Sequence, residues 1–359
     1  MTLGLLSLRS DQETEYFTEI AKRAFLHGMQ VVRFTPFQII PATEQVHGLL
    51  FDSVQEQWVQ HTFPIPPFIY DRCFYNRTES SRQGKPIVEW LKKRPQTQFL
   101  GHGLPDKLQT YSILSHHPAT APYVPYTVEA TIENVWKYIW RHKQAALKPV
   151  NGSQGNGFCF LSYGRRSIQA TLQQAKQTIT ESFLSKEDFL AWLASLLQSQ
   201  TYLLQPFLSV QDAYGRPFDI RVLLQKNEKG IWEEVGRGVR CGNERAVVSN
   251  LHAGSRSITY EEWKQSYPKQ ERLLLEDNIT TLLKAVPIAL EQTLPPLFEI
   301  GLDISVDQNQ AVWLLDVNSK PGRRVMLECK PENVDHLYHA PLAYCKYLTL
   351  EAQKGADSQ

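Results

Sequence analysis

Short apolar runs broken by polar, glycine- or proline-bearing turns dominate the first hundred residues, and their spacing alternates between two periods. Residues 3–8 have the pattern of a strand, 13–28 that of a helix, and 30–34, 46–51 and 68–71 that of further strands. This order predicts a small α/β domain with a largely parallel sheet, and its glycines form no dinucleotide-binding fingerprint. Residues 104–115 are expected to turn into a helix that carries Lys107, and the proline-rich stretch 118–125 to separate domains. Ile132, Val135, Trp136, Ile139 and Trp140 fall on one helical face and are expected in a core. Strands at 145–148 and 158–161 flank a glycine-rich loop. An amphipathic helix follows at 182–197, begun by a polar cap, and then a strand at 202–208. The remaining chain is expected to be mainly β, with strands at 220–225, 231–240 and 247–251, a long helix at 271–290, and a closing hairpin. No internal repeat is visible.

The hairpin carries most of the candidate chemistry. Two apolar runs flank Asp307 to Gln310, so a turn there pairs 303 with 314 and 301 with 316. Period two then places Leu314, Asp316 and Asn318 on the face of Asp303. Asp303 and Asp316 become diagonal neighbours, and Gly301 leaves open space beside them. Repeated oxygen ligands on one face suit a hard cation such as Mg²⁺, which commonly arrives with substrate phosphates.

Bulk properties narrow the classes. At 359 residues the chain needs two or three subdomains. With 42% hydrophobic and 21% charged residues it has material for real cores, which excludes disordered and fibrous classes. A net charge of +1, with no dense basic block, argues against a nucleic-acid partner. The cysteines at 73, 159, 241, 329 and 345 form no Cys-x-x-Cys pair, so reduced thiols in a cytosol are expected and no zinc site. No apolar run approaches bilayer length and no signal peptide opens the chain, so a soluble, unprocessed cytoplasmic protein without a membrane partner is expected.

The segment from Lys148 to Gly157 joins two strands and contains Gly152, Gly155 and Gly157. Glycines there let backbone N–H groups approach an anion. It is neither a Walker A loop nor a Rossmann turn, because the lysine precedes the glycines and no helix opens after them. Further on, Asp219-Ile220-Arg221 begins a strand and Arg240 closes its partner, so two guanidiniums can enter one groove, where Arg forks match phosphate and carboxylate oxygens.

Taken in order, Tyr70-Asp71-Arg72, Val124-Pro125-Tyr126-Thr127, the Lys148-Pro149 loop, Gln205-Pro206-Phe207, Asp219-Ile220-Arg221, Val248-Ser249-Asn250-Leu251, and Leu315-Asp316-Val317-Asn318 with Lys320-Pro321 resemble the YheC/YheD family of the ATP-grasp superfamily, endospore coat-associated proteins, over roughly residues 105–330. The resemblance implies an ATP-grasp fold of α/β and α+β character. A small Rossmann-like α/β domain (1–104) would precede a first lobe with the glycine-rich loop (105–200), a second lobe with the metal hairpin (201–345), and a tail (346–359). It implies that Lys107 and Lys148 hold ATP phosphates under the loop residues Gly152, Ser153, Gly155 and Gly157. Gln205, Pro206 and Phe207 would form the adenine hinge, with Asp212 as ribose partner. Arg221 would reach a phosphate or acyl-phosphate, Arg240 a substrate carboxylate, and Asp303, Asp316 and Asn318 would bind Mg²⁺ or Mn²⁺.

Two positions depart from the family pattern. Asp316 stands where the superfamily usually has glutamate, which shortens the reach by one methylene. The family's Asn-Leu-Gly-Gly becomes Asn250-Leu251-His252-Ala253-Gly254, with one glycine lost. The implied activity is an ATP- and Mg-dependent ligase that activates a carboxylate as acyl-phosphate for an amine or similar nucleophile, linked to spore coat formation. The alternatives are a coat-associated scaffold, with or without nucleotide and partnered by coat proteins, and a small-molecule kinase.

Overall fold

A computed structural model of the chain describes residues 1–76, 78–152, 156–174, 177–212, 215–242 and 256–357. The N-terminal elements are β1 (Thr2–Leu6), α1 (Thr14–Arg23), β2 (Gln30–Phe34), β3 (Ile39–Ile40), β4 (Gln45–Asp52), β5 (Gln57–Pro64), β6 (Phe68–Asp71), α2 (Glu79–Lys92) and β7 (Gln98–Phe99). The strand order is β3-β4-β2-β1-β6-β7, with β5 paired to β4. Only β2, β1, β6 and β7 run parallel; β3, β4 and β5 are antiparallel additions. The expectation of a largely parallel sheet therefore holds for four strands of seven. The central parallel strands β1 and β6 are buried along nearly their whole length, as cover on two faces demands, whereas β4 and β5 alternate or are exposed. The helix expected over 13–28 ends at Arg23 and tightens into a short 3₁₀ turn closed by Gly28 at φ 64.

Next come α3 (Lys107–His116), β8 (Val128–Glu129), α4 (Ile132–His142), β9 (Gln144–Pro149), β10 (Cys159–Tyr163), β11 (Ile168–Gln174), β12 (Gln177–Phe183), α5 (Lys186–Ser199) and β13 (Tyr202–Gln205). These strands form an antiparallel sheet in the order β12-β11-β10-β9-β13-β8. Val135 and Ile139 of α4 and Phe189 and Leu193 of α5 seal one face against Ala145, Leu147 and Leu161. Ile132 and Trp140, expected in that core, are 41% and 60% exposed, because the buried stripe of α4 is narrower than the apolar spacing implied. Ser185 caps α5 by accepting the Asp188 N–H, so the helix begins at Lys186, four residues inside the expected 182–197. β13 stops at Gln205, where Pro206 removes the next ladder donor.

The last part holds β14 (Phe218–Lys226), β15 (Trp232–Cys241), β16 (Arg256–Thr259), α6 (Tyr260–Lys264), α7 (Lys269–Glu291), β17 (Glu299–Val306), β18 (Val312–Asn318), α8 (Arg324–Cys329) and α9 (Val334–Asp357). Its antiparallel sheet has the order β16-β15-β14-β17-β18. Ile220, Val222, Ile300, Leu302 and Ile304 pack against Leu275, Ile279, Leu282 and Val286 of α7, and the same core takes in Tyr111 and Leu114 of α3. The strand expected at 247–251 lies outside the described residues.

Two expected boundaries sit inside shared structure. β13, beyond residue 200, is bonded into the first sheet, while α3, before it, packs with the second. The segment 346–359, expected as a tail, continues α9 as far as Asp357, and Cys345 and Leu348 are buried with Leu3, Phe17 and Ile20 of the N-terminal domain. Leu223, Val235 and Phe298 join that cluster, so the N-terminal domain and the second lobe share one core. Among the described residues no helix is long and apolar enough to cross a membrane.

Candidate nucleotide and metal site

The cleft between the two later sheets is built by strand register. On the second sheet Gly238, Arg221, Asp303 and Asp316 lie in one transverse row, each the ladder partner of the next. Asp219, two residues before Arg221 and on the same face, pairs with Arg240. Arg221 grips Asp303 with two nitrogens, Nε at 2.7 Å and Nη2 at 3.2 Å. Arg240 takes both oxygens of Asp219, at 2.6 and 2.8 Å, and places Nη2 2.9 Å from Asp303 Oδ1. Burial pushes the Asp219 carboxyl up, against the pull of Arg240. Asp303 is buried too, yet Arg221 and Arg240 hold it below the ordinary carboxylate range.

The hairpin register differs from a regular ladder. Asp303 faces Asp316 directly and Gly301 faces Asn318, because the register slips between Asp303 and Ile304 and leaves Leu315 as a bulge. Leu314 is consequently fully buried in the core while Asp316 and Asn318 face the cleft, although period two had put all three on one face. The bulge frees the Leu315 carbonyl, which accepts from the Tyr111 hydroxyl and from Lys148 Nζ at 3.5 Å. The space expected beside Gly301 is filled, since a Cβ there would meet Pro321 Cβ at 2.6 Å and Arg221 Nη1 at 3.0 Å.

Two lysines reach the row from different elements. Asp106 caps α3 by accepting the Gln109 N–H, which sets Lys107 at the first helical position. Its Nζ lies 2.6 Å from Asp316 Oδ2. Lys148 alternates with the core-facing Leu147 on β9 and is half-buried. Burial, reinforced by Lys107, lowers its pKa from 10.5 to about 8.

On the first sheet Phe160, Ala146 and Gln205 form a second transverse row. Phe207 meets Phe160 with ring centroids 4.2 Å apart, and Gln205 donates to Thr127 Oγ1 at 2.8 Å. Ala146, flanked by an aromatic ring and an amide, leaves a shallow floor there. Gly157, at φ 84, folds the described end of the loop onto Pro149, as does Gly152. Ser153, Gly155 and the 248–255 motifs lie outside the described residues. Asp212 holds its own turn by accepting the Arg216 N–H at 2.9 Å and Arg216 Nε at 2.8 Å. In the remaining motif, Tyr70-Asp71-Arg72, Asp71 lies 2.8 Å from Lys320 Nζ. Arg72 is fully buried and bonds Glu299 at 2.6 Å, joining the N-terminal domain to β17.

The residues absent from the sequence reading of this site are Asp219 as the clamp of Arg240, Tyr111, Ala146 and Phe160. Ala146 and Phe160 are accessible to period-two reasoning from Lys148, once Phe160 is known to pair with Ala146. Chemically the cleft offers oxygen donors from Asp303, Asp316 and Asn318 on one face. That donor set fits a hard divalent ion, with cationic side chains around it that fit phosphate.

Two α+β lobes closing over such a cleft define an ATP-grasp fold. The YheC/D-like ATP-grasp model matches residues 96–348, and the chain belongs to that family. It is similar to the endospore coat-associated protein YheC of Bacillus subtilis strain 168, 41% identical over 357 residues that cover 99% of this chain and 98% of the relative. YheD of the same organism is 25% identical over 311 residues, 86% of this chain and 68% of that one. Among solved structures, the D-cycloserine synthetase DcsG superposes with a TM-score of 0.55 at 10% identity, covering 95% and 99% of the two chains.

Proposed function

We propose that the chain is an ATP-dependent ligase that activates a carboxylate as an acyl-phosphate and passes the acyl group to an amine or related nucleophile. The observation that carries this reading is the row Arg221–Asp303–Asp316 with Lys107 and Lys148 converging on its end. Adenine would lie on Ala146 between Phe160 and the Gln205–Phe207 segment, and Lys107 and Lys148 would hold the phosphates under the glycine-rich loop. Asp303, Asp316 and Asn318 would hold a divalent ion, which when bound supplies charge neutralisation along the phosphates.

The chain's own groups then act by positioning. Arg221, anchored on Asp303, offers N–H groups to the transferring phosphoryl. A substrate carboxylate oxygen attacks the γ-phosphorus, the bond to the β-phosphate oxygen breaks, and ADP leaves. Arg240 keeps its direction through Asp219 and faces the carboxylate end. The nucleophile next attacks the acyl carbon and inorganic phosphate departs, so the protein needs no nucleophile of its own. The test is incubation with ATP, Mg²⁺ and a panel of carboxylates with hydroxylamine: hydroxamate formation dependent on Asp303 supports the ligase, and a stable phosphorylated product would make the protein a kinase.

A second reading, a coat-associated nucleotide-binding scaffold, is supported by the name of the YheC relative and by the short carboxylate at 316. ADP binding without any turnover across the panel would favour it.

A further inference from the structure

Every oxygen-donor carboxylate of the cleft already has a cation of the protein upon it. Lys107 Nζ sits 2.6 Å from Asp316, while Arg221 and Arg240 divide Asp303 between them. Lys148 adds a fourth positive group at the neighbouring Leu315 carbonyl. The arginines are fixed: Arg221 fills the space left by Gly301, and Arg240 is held by both oxygens of Asp219. Lys107 differs, since its stem is flexible and its ammonium is bound to Asp316 alone among the described contacts.

We propose that Lys107 is a movable counter-ion that excludes free divalent metal from Asp316 and yields that carboxylate only when nucleotide phosphate takes over its ammonium. This rests on the nucleotide reading above and adds a binding order to it. A free divalent ion entering this cleft must displace Lys107 and then sit among four cations. A metal–nucleotide complex brings its own anionic oxygens, gives Lys107 a new partner, and leaves Asp316 for the metal. Metal and nucleotide are thereby coupled, and linkage requires the coupling to be equal in both directions.

The test is Mn²⁺ titration of the full-length protein, reading unbound Mn²⁺ by electron paramagnetic resonance with and without ADP. Wild type takes up Mn²⁺ weakly alone and far better with ADP. Lys107→Met binds Mn²⁺ alone about tenfold more tightly and metal-free ADP more weakly, so the coupling shrinks from both sides. Lys107→Arg, which restores a cation, stays close to wild type, and Asp316→Asn added to Lys107→Met removes the gain. Unchanged affinity for Mn²⁺ alone in a Lys107→Met protein that still binds Mn²⁺ with ADP overturns the inference alone, as does a gain that survives Asp316→Asn. Failure of wild type to bind ADP with Mn²⁺ overturns the nucleotide reading and the inference with it.

Discussion

One face of β17 carries two ionic clusters four residues apart, and they are built to opposite ends. Around Glu299 every partner is sealed: Arg72 and Tyr70 bond one carboxylate oxygen at 2.6 and 2.7 Å, and Gln225 bonds the other at 3.0 Å. Glu13 draws in Arg323, whose guanidinium lies 3.3 Å from the centroid of the Tyr16 ring. Around Asp303 the same chemistry of carboxylate and guanidinium borders the cleft, and the nearby Asp316 is held by one lysine on a long stem. A buried charge deprived of its partner has no water to turn to, whereas a charge lining a cleft can exchange partners. The first cluster fastens the N-terminal domain to the second lobe. The second is able to trade its partners for a ligand.

Breaking the sealed cluster has the largest expected effect. Glu299→Ala takes from the buried Arg72 its closest carboxylate, leaving Glu13 at 3.3 Å and the Pro321 carbonyl, and lowers unfolding free energy by about 3 kcal/mol, measured by urea denaturation. Asp316→Ala changes the stability of the unliganded protein by no more than about 1 kcal/mol. It does abolish the thermal shift given by Mg²⁺ with ADP, a stabilisation of about 3 kcal/mol at ligand a hundredfold above Kd.

The half-buried lysine sharpens the contrast through pH. Lys148 titrates at about 8 when folded against an ordinary 10.5, so between those values the unfolded chain binds more protons and stability rises with pH. Below pH 8 the folded protein bears the cost of the buried ammonium. Lys148→Met is therefore expected to be more stable at pH 7 by on the order of 2 kcal/mol in thermal unfolding. Wild-type ADP affinity, followed by calorimetry, falls as pH rises above 8 and that charge is lost. The smallest effect belongs to the aromatic wall: Phe160→Ala weakens ADP binding by about 1 kcal/mol in the same titration and leaves the Glu299 cluster untouched.

Most elements near the cleft are legible from period alone. The alternation that buries Leu147 turns Lys148 outward, whereas the strand expected over 202–208 ends at Gln205, because Pro206 lacks the next ladder donor. The α2 helix at Glu79–Lys92 and the β11–β12 hairpin were not legible: α2 carries an internal proline and β12 is exposed along nearly its whole length. The roles of Asp219 and Tyr111 depend on which strands and helices become neighbours, and no local pattern contains that. Tyr70-Asp71-Arg72 was legible as a motif, yet it proved to be an interdomain fastening, since only the fold tells a buried arginine from one at a cleft.

The bulge at Leu315 makes the site a matter of residue count as much as residue kind. Upstream of it the odd positions of β18, such as Trp313, point away from the core, and downstream the even positions do. Pairing Leu315 with Asp303 in a regular ladder, instead of bulging it out, would keep every ligand type in the sequence and yet turn Asp316 and Asn318 toward the interior. A search for related sites by composition alone would accept such a chain, although its carboxylate would face α7 instead of Lys107.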